Sequence, residues 1–194
     1  MMAAQEVAEL RDGFPRNARW LPDPMDMRHH DVECRGILAV ERALRDVFLM
    51  EKPIGSNRGV TIDDYNRRAG APLGSPYCAS AATVWWEDAG LEVPAADRAS
   101  CDVLYRWAIT TQRFHHAPTI GAWVMYGTGK PEDPSNHVGI VIRLTPLLMT
   151  FEANTSMDGQ YNREGFAFDR KIIERLTRRP VLGYCWPFPV PTGK

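Results

Sequence analysis

The chain has no run approaching the roughly 20 apolar residues that a membrane-spanning helix needs, which argues against stable membrane insertion. It has no surplus of one charge: the formal net charge is −1 and the basic residues are scattered, so nothing favours a nucleic-acid partner. It has no CxxC pair. The four cysteines, Cys34, Cys78, Cys101 and Cys185, are widely spaced, which reads as thiols and not as a disulfide framework. Internal repeats, low-complexity tracts and Gly/Ser linkers are also missing, which leaves one compact domain as the expectation. The opening residues carry Glu6 and Glu9 early and no apolar core of signal-peptide length. The expected site of synthesis is therefore the cytoplasm.

What is present falls into two zones. Residues 1 to 50 form an N-terminal extension, polar and rich in Pro and Arg at first. Ile37, Val40, Leu44, Val47 and Phe48 then repeat at helical spacing through Met50, which predicts an amphipathic helix packed on the main domain. Residues 51 to 194 make up that domain. Thr61 is the N-cap candidate of a short helix with Asp63 and Asp64 in its first turn and Gly70 as its stop. The segment from Ala71 to Tyr77 is full of breakers, and Cys78 to Ala89 then reads as a small-residue helix ended by Gly90. A further helix is predicted from about Asp102 to Gln112, with Val103, Leu104, Trp107 and Ala108 on one face.

After these helices the pattern changes to strand composition, over 122–126, 137–142, 147–152 and 181–186. Helices first and strands later indicate an α+β fold, with an antiparallel sheet packed against the helix that starts at Cys78.

Four residues in this layout carry chemistry. Cys78 opens a helix, where unpaired amides and the macrodipole favour a thiolate, the species that attacks a carbonyl. The small residues Ala79 to Ala82 would let that helix pack closely and leave its first amides to face an oxyanion. His137 opens an apolar strand. The next strand ends in Glu152-Ala153-Asn154, and strict alternation would put Glu152 and Asn154 on one side, both able to hydrogen-bond an imidazole. Of the two, Glu152 is the expected direct partner of His137, because it lies deeper in the strand.

These residues sit within an ordered series of blocks: Asn57-Arg58-Gly59, Ile62-Asp63-Asp64-Tyr65, Gly70, Gly74-Ser75-Pro76-Tyr77-Cys78-Ala79, Ala89-Gly90, His137-Val138-Gly139-Ile140-Val141 and Phe151-Glu152-Ala153-Asn154-Thr155. The series resembles the CHAP domains, the cysteine, histidine-dependent amidohydrolases and peptidases, from about Ser56 to Trp186. The resemblance implies a papain-like fold and a thioester route to amide hydrolysis in bacterial peptidoglycan, as in phage endolysins and wall hydrolases. It implies Cys78 as nucleophile, His137 as base, Glu152 and Asn154 as orienting partners, and no cofactor. Tyr77, Gly121-Ala122 and Ala153 stand where many relatives have Trp, Gly-Asp and Gly; none of these is a catalytic atom.

Some relatives bind calcium through an acidic loop, but Gly55 to Tyr77 offers only the pair Asp63-Asp64, so no metal is expected. Delivery to the periplasm or wall would need a holin or a secretion apparatus. An interbacterial toxin with a cognate immunity protein is the alternative enzyme, and a non-catalytic wall-binding or virion structural protein the alternative from another class.

Weaker features point to structure. His29-His30 and His115-His116 lack a completing ligand set for zinc. Gly127-Thr128-Gly129-Lys130 lacks phosphate-loop spacing and reads as a turn. Trp85, Trp86, Trp107 and Trp123 lie in periodic apolar segments and read as core. The run Arg170-Lys171, Arg175, Arg178 and Arg179 reads as a solvated face, with a patch for an anionic polymer as the alternative.

Overall fold

A computed structural model describes residues 24–128, 130, 134–155, 166–171 and 180–189. In chain order the described elements are α1 (Pro24–Leu44), α2 (Val60–Ala69), α3 (Cys78–Asp88), α4 (Cys101–Thr110), β1 (Phe114–His115), β2 (Trp123–Tyr126), β3 (His137–Arg143), β4 (Met149–Thr155), β5 (Phe166–Lys171) and β6 (Val181–Cys185). The strands form one antiparallel sheet in the order β1-β6-β2-β3-β4-β5. The fold is α+β.

Helix α3 is the centre of the molecule. Every residue from Cys78 to Trp86 is buried, because α1, α2 and α4 pack around it and β3 and β4 lie against it. A helix enclosed on all sides needs small or apolar residues all round, which Cys-Ala-Ser-Ala-Ala-Thr-Val-Trp-Trp supplies. The sheet side that joins this core carries Trp123, Met125, Val138, Ile140, Phe151 and Ala153. The alternate row gathers Val124, Tyr126 and Val141 in a second cluster. Trp86 stacks on Trp123 with centroids 3.8 Å apart and meets Trp107 edge-on. Trp85 tilts against Phe151. All four tryptophans of this group are packing residues.

Several local expectations are corrected. Helix α1 begins at Pro24, ends at Leu44, and buries Gly36, Ala39, Val40 and Ala43; Ile37, Leu44, Val47 and Phe48 are exposed, Phe48 by 85%. The reason is close approach: α1 packs on α3, and a β-carbon on Gly36 would stand 3.0 Å from the Ile120 carbonyl oxygen. Helix α2 starts one residue after Gly59, its N-cap, and Thr61 lies inside it. Gly70 stops it in the left-handed region at φ 80°. Strands β1 and β5 add to the four that composition predicts. Arg170 and Lys171 belong to β5, and Arg175, Arg178 and Arg179 lie outside the described residues, as does Gly129.

A buried carboxylate holds α1 to the rest. Asp46 is nearly inaccessible and accepts hydrogen bonds from Trp85 Nε1 at 2.7 Å, from the Tyr65 hydroxyl, and from Arg42 at 3.2 Å. Arg42 also reaches Asp88 of α3 at 2.8 Å, so the end of α1, α2 and α3 share one polar knot.

Candidate active site

The loop before α3 is pinned from two directions. Asn66 on α2 donates to the Ser75 carbonyl at 3.0 Å and accepts from the Ser80 hydroxyl at 2.8 Å, tying the loop to the first turn of α3. Asn57, in the left-handed region at φ 53°, donates from Nδ2 to the Gly74 carbonyl at 3.2 Å and from its backbone to buried Glu51 at 2.9 Å. The breaker-rich segment is therefore a fixed platform that delivers Cys78 as the first residue of α3. Tyr77 supplies no side-chain cap, and the helical ladder starts with Ala81 N–H bonding the Tyr77 carbonyl at 2.9 Å. The amides before Ala81 lie outside that ladder, the geometry of an anion-facing helix end.

Strands β3 and β4 supply the second half. His137 and Glu152 are both fully buried, and the ring Nε2 lies 2.9 Å from Glu152 Oε2. A carboxylate that is ionised only accepts, and against it Nε2 would be the donor of this bond and Nδ1 the nitrogen left to act as a base. The other oxygen, Glu152 Oε1, accepts from the Tyr126 hydroxyl at 2.8 Å and from the Thr150 hydroxyl at 2.8 Å. Tyr126 is the direct cross-strand neighbour of His137, and their rings lie 5.7 Å apart. The carboxylate is thus held on both oxygens and its orientation is set by three residues.

Gly139 makes this possible. It shares a row with His137 on β3, and a β-carbon there would stand 2.5 Å from Glu152 Cγ. Without that carbon, Glu152 lies across the strand and reaches the imidazole two residues along.

Asn154 takes a different course. A register shift between Glu152 and Thr155 and a φ of 53° at Asn154 interrupt the regular strand at its end. Its Nδ2 donates to Asn57 Oδ1 at 3.3 Å, while its backbone bonds the Tyr77 hydroxyl. The asparagine therefore joins the end of β4 to the residue preceding Cys78. Burial pushes the Tyr77 hydroxyl pKa well above its usual value, helped by the negative Glu51 nearby, so Tyr77 stays neutral there.

These contacts place the start of α3, the start of β3 and the end of β4 at one corner. Cys78 enters it from the helix side of the sheet; His137 and Glu152 come from the alternate row. A depression of about 340 Å³, lined among others by Ser75, Pro76, Asp97 and Ser100, opens beside the segment that leads into Cys78. The Cys78 sulfur itself lies 3.6 Å from that of Cys101.

Comparison with protein-family models, characterised proteins and solved structures found no match to this chain.

Cys78, His137, Glu152 and Asn154 are the residues that the sequence singles out. It gives no sign of Tyr126, Thr150, Glu51, Asn66 or Cys101. Tyr126 and Thr150 sit in strand composition as ordinary β-formers, and only the register brings them to Glu152. Among the described residues no group of three His, Cys, Asp or Glu side chains is placed to hold a metal ion. His115 packs its ring 4.1 Å from that of Trp186, and burial lowers its pKa, as suits a neutral packing residue. The side chains of His29 and His30 lie outside the described residues.

Proposed function

We propose that this corner is a cysteine amidohydrolase centre of the CHAP type, in a papain-like arrangement, and that it cleaves an amide bond of bacterial peptidoglycan. The observation that carries the reading is the fully buried His137–Glu152 pair, locked by Tyr126 and Thr150, on a strand whose Asn154 bonds Tyr77, the residue before the helix-opening Cys78. A buried carboxylate fixed on an imidazole is costly to maintain as structure alone, because its desolvation is only partly offset by the pairing. Such a pair is well suited to a base that must become imidazolium during turnover.

In the proposed reaction His137 Nδ1 takes the Cys78 proton, and the thiolate attacks the carbonyl carbon of a stem-peptide or cross-link amide. The oxyanion that forms faces the amides at the start of α3. Collapse breaks the C–N bond, and the imidazolium gives its proton to the leaving amine. Water, deprotonated by His137, then cleaves the thioester and releases a carboxylic acid. Glu152 stabilises the imidazolium throughout and keeps Nε2 as the donor. Asn154 positions the Cys78 platform through Asn57 and Tyr77.

The test is digestion of purified peptidoglycan by the reduced full chain, with Cys78→Ala as control and mass spectrometry of the products. New amine and carboxyl ends at one amide are expected from the wild type. Equal product from Cys78→Ala in folded form ends the cysteine-hydrolase reading. The position of the new ends identifies whether the amide joins sugar to peptide or lies within the stem or cross-link.

A further inference from the structure

Cys101 takes no part in that reaction, yet its position is specific. Its sulfur lies 3.6 Å from that of Cys78, and each cysteine is the first residue of its helix. The start of α4 is fixed: the Ser100 hydroxyl caps it by accepting from Val103 N–H at 3.3 Å. Cys78 is almost fully buried and Cys101 is partly exposed. The other two thiols stand elsewhere, Cys34 on the surface and Cys185 in the core, where burial raises its pKa and keeps it protonated.

We infer that Cys78 and Cys101 form a reversible dithiol–disulfide pair, in which hydrogen peroxide oxidises Cys78 and Cys101 resolves it, masking Cys78 until a dithiol reductant releases it. The sulfurs need to close from 3.6 Å to about 2 Å. Both helix starts are held in place, so rotation of the two cysteine side chains about their Cα–Cβ bonds supplies the movement. The depression lined by Ser75, Pro76, Ala99 and Ser100 lies against both entry segments and is large enough for a small peroxide.

The chemistry balances. The Cys78 thiolate attacks one peroxide oxygen, the O–O bond breaks, and hydroxide leaves to become water after protonation; Cys78 is then a sulfenic acid. The Cys101 sulfur attacks the Cys78 sulfur, the S–O bond breaks, and a second water leaves with the Cys101 proton. Two thiols and one peroxide give one disulfide and two waters. The pair also keeps Cys78 from the irreversible sulfinic stage, because the resolving thiol is already in contact. The consequence for activity rests on Cys78 being the nucleophile; the pairing itself does not.

The test uses the reduced full chain, treated with excess hydrogen peroxide, alkylated and mapped by mass spectrometry without reduction. The expected product is one linked pair of peptides, containing Cys78 and Cys101 and lighter by two hydrogens. Dithiothreitol should abolish it and restore Cys78 alkylation. In Cys101→Ser, or in Cys101→Ala should the serine disturb the fold, Cys78 should gain two oxygens and dithiothreitol should not restore it. Wild-type protein that reaches sulfinic Cys78 without the linked peptides, or that leaves both thiols unoxidised, overturns the proposal. Peptidoglycan digestion by the untreated protein, run in parallel, reports on the hydrolase reading separately, since the masses do not depend on it.

Discussion

Gly139 lies so close beneath Glu152 that a β-carbon there would stand 2.5 Å from the glutamate Cγ. The same added carbon would also meet the Phe151 carbonyl oxygen at 3.0 Å, so backbone as well as side chain would have to give. Gly139→Ala should therefore cost about 1–3 kcal/mol of stability and displace Glu152 from His137. Chemical denaturation measures the first effect. For the second, the His137 ring proton bonded to Glu152 should lose its downfield NMR resonance; a retained resonance in a variant of unchanged stability would show that the strand tolerates the carbon.

Glu152 is held on both oxygens, so its supports should act together. Tyr126→Phe and Thr150→Val each remove one donor, and each should slow hydrolysis about ten-fold or more, since a hydrogen bond to a charged group is worth about 1.5–3 kcal/mol. The double variant should lose more than the product of the singles, because Oε1 is then buried with neither hydroxyl. Glu152→Gln should exceed either single, and Asn154→Ala should be milder than Glu152→Gln. Rates on purified walls, with circular dichroism to establish folding, decide the ranking, and an Asn154→Ala loss larger than that of Glu152→Gln would reverse the roles of the two residues.

Asp46 is a stability residue, not a site residue. Truncation leaves the Trp85 indole N–H, the Tyr65 hydroxyl and Arg42 without a shared acceptor. Asp46→Ala should destabilise by about 3 kcal/mol, the scale for breaking a buried ionic contact. A thermal melt within a degree or two of wild type would show that α1 is held by its alanine face alone.

Acid should loosen the contact between α2 and α3. Burial raises the carboxyl pKa of Asp88 and Glu87, but bonds from Arg68, with Arg42 for Asp88 and Arg98 for Glu87, outweigh it and hold both below their ordinary values. A lowered folded-state pKa means that the stabilisation is complete above the ordinary values of 3.8 and 4.5. It is lost as pH falls through the lower folded values. Both groups are partly exposed, so the loss is modest. Melting temperature followed from pH 6 downward should fall less steeply in Arg68→Ala than in wild type; parallel curves would count against this bridge.

Part of the fold and of the site is legible in the chain itself. Gly70 and Gly90 end their helices, and Cys78 opens one, because breakers and small residues act through local backbone energetics. The α+β order follows from the change of period between Gln112 and Ala122. Locally strong signals also mislead. Ile37, Leu44 and Phe48 have helical spacing, but which face of α1 is covered depends on α3 and on the Ile120–Gly121 backbone, far along the chain. Strand β1 has only two residues, too few for alternation to register, and β5 carries Asp169, Arg170 and Lys171, which read as a surface run.

By itself, then, the sequence determined where the chain turns, which residue starts α3, and that a histidine and a glutamate lie on successive strands. Those features depend on neighbours within a few residues. Tertiary structure decided how Glu152, the partner that the sequence favours, reaches His137: it lies across Gly139, where no β-carbon stands in its way. It also decided that Tyr126 and Thr150 close around Glu152, and that Cys101 touches Cys78. Each of these contacts joins separate elements or turns on strand register, and no local propensity encodes either.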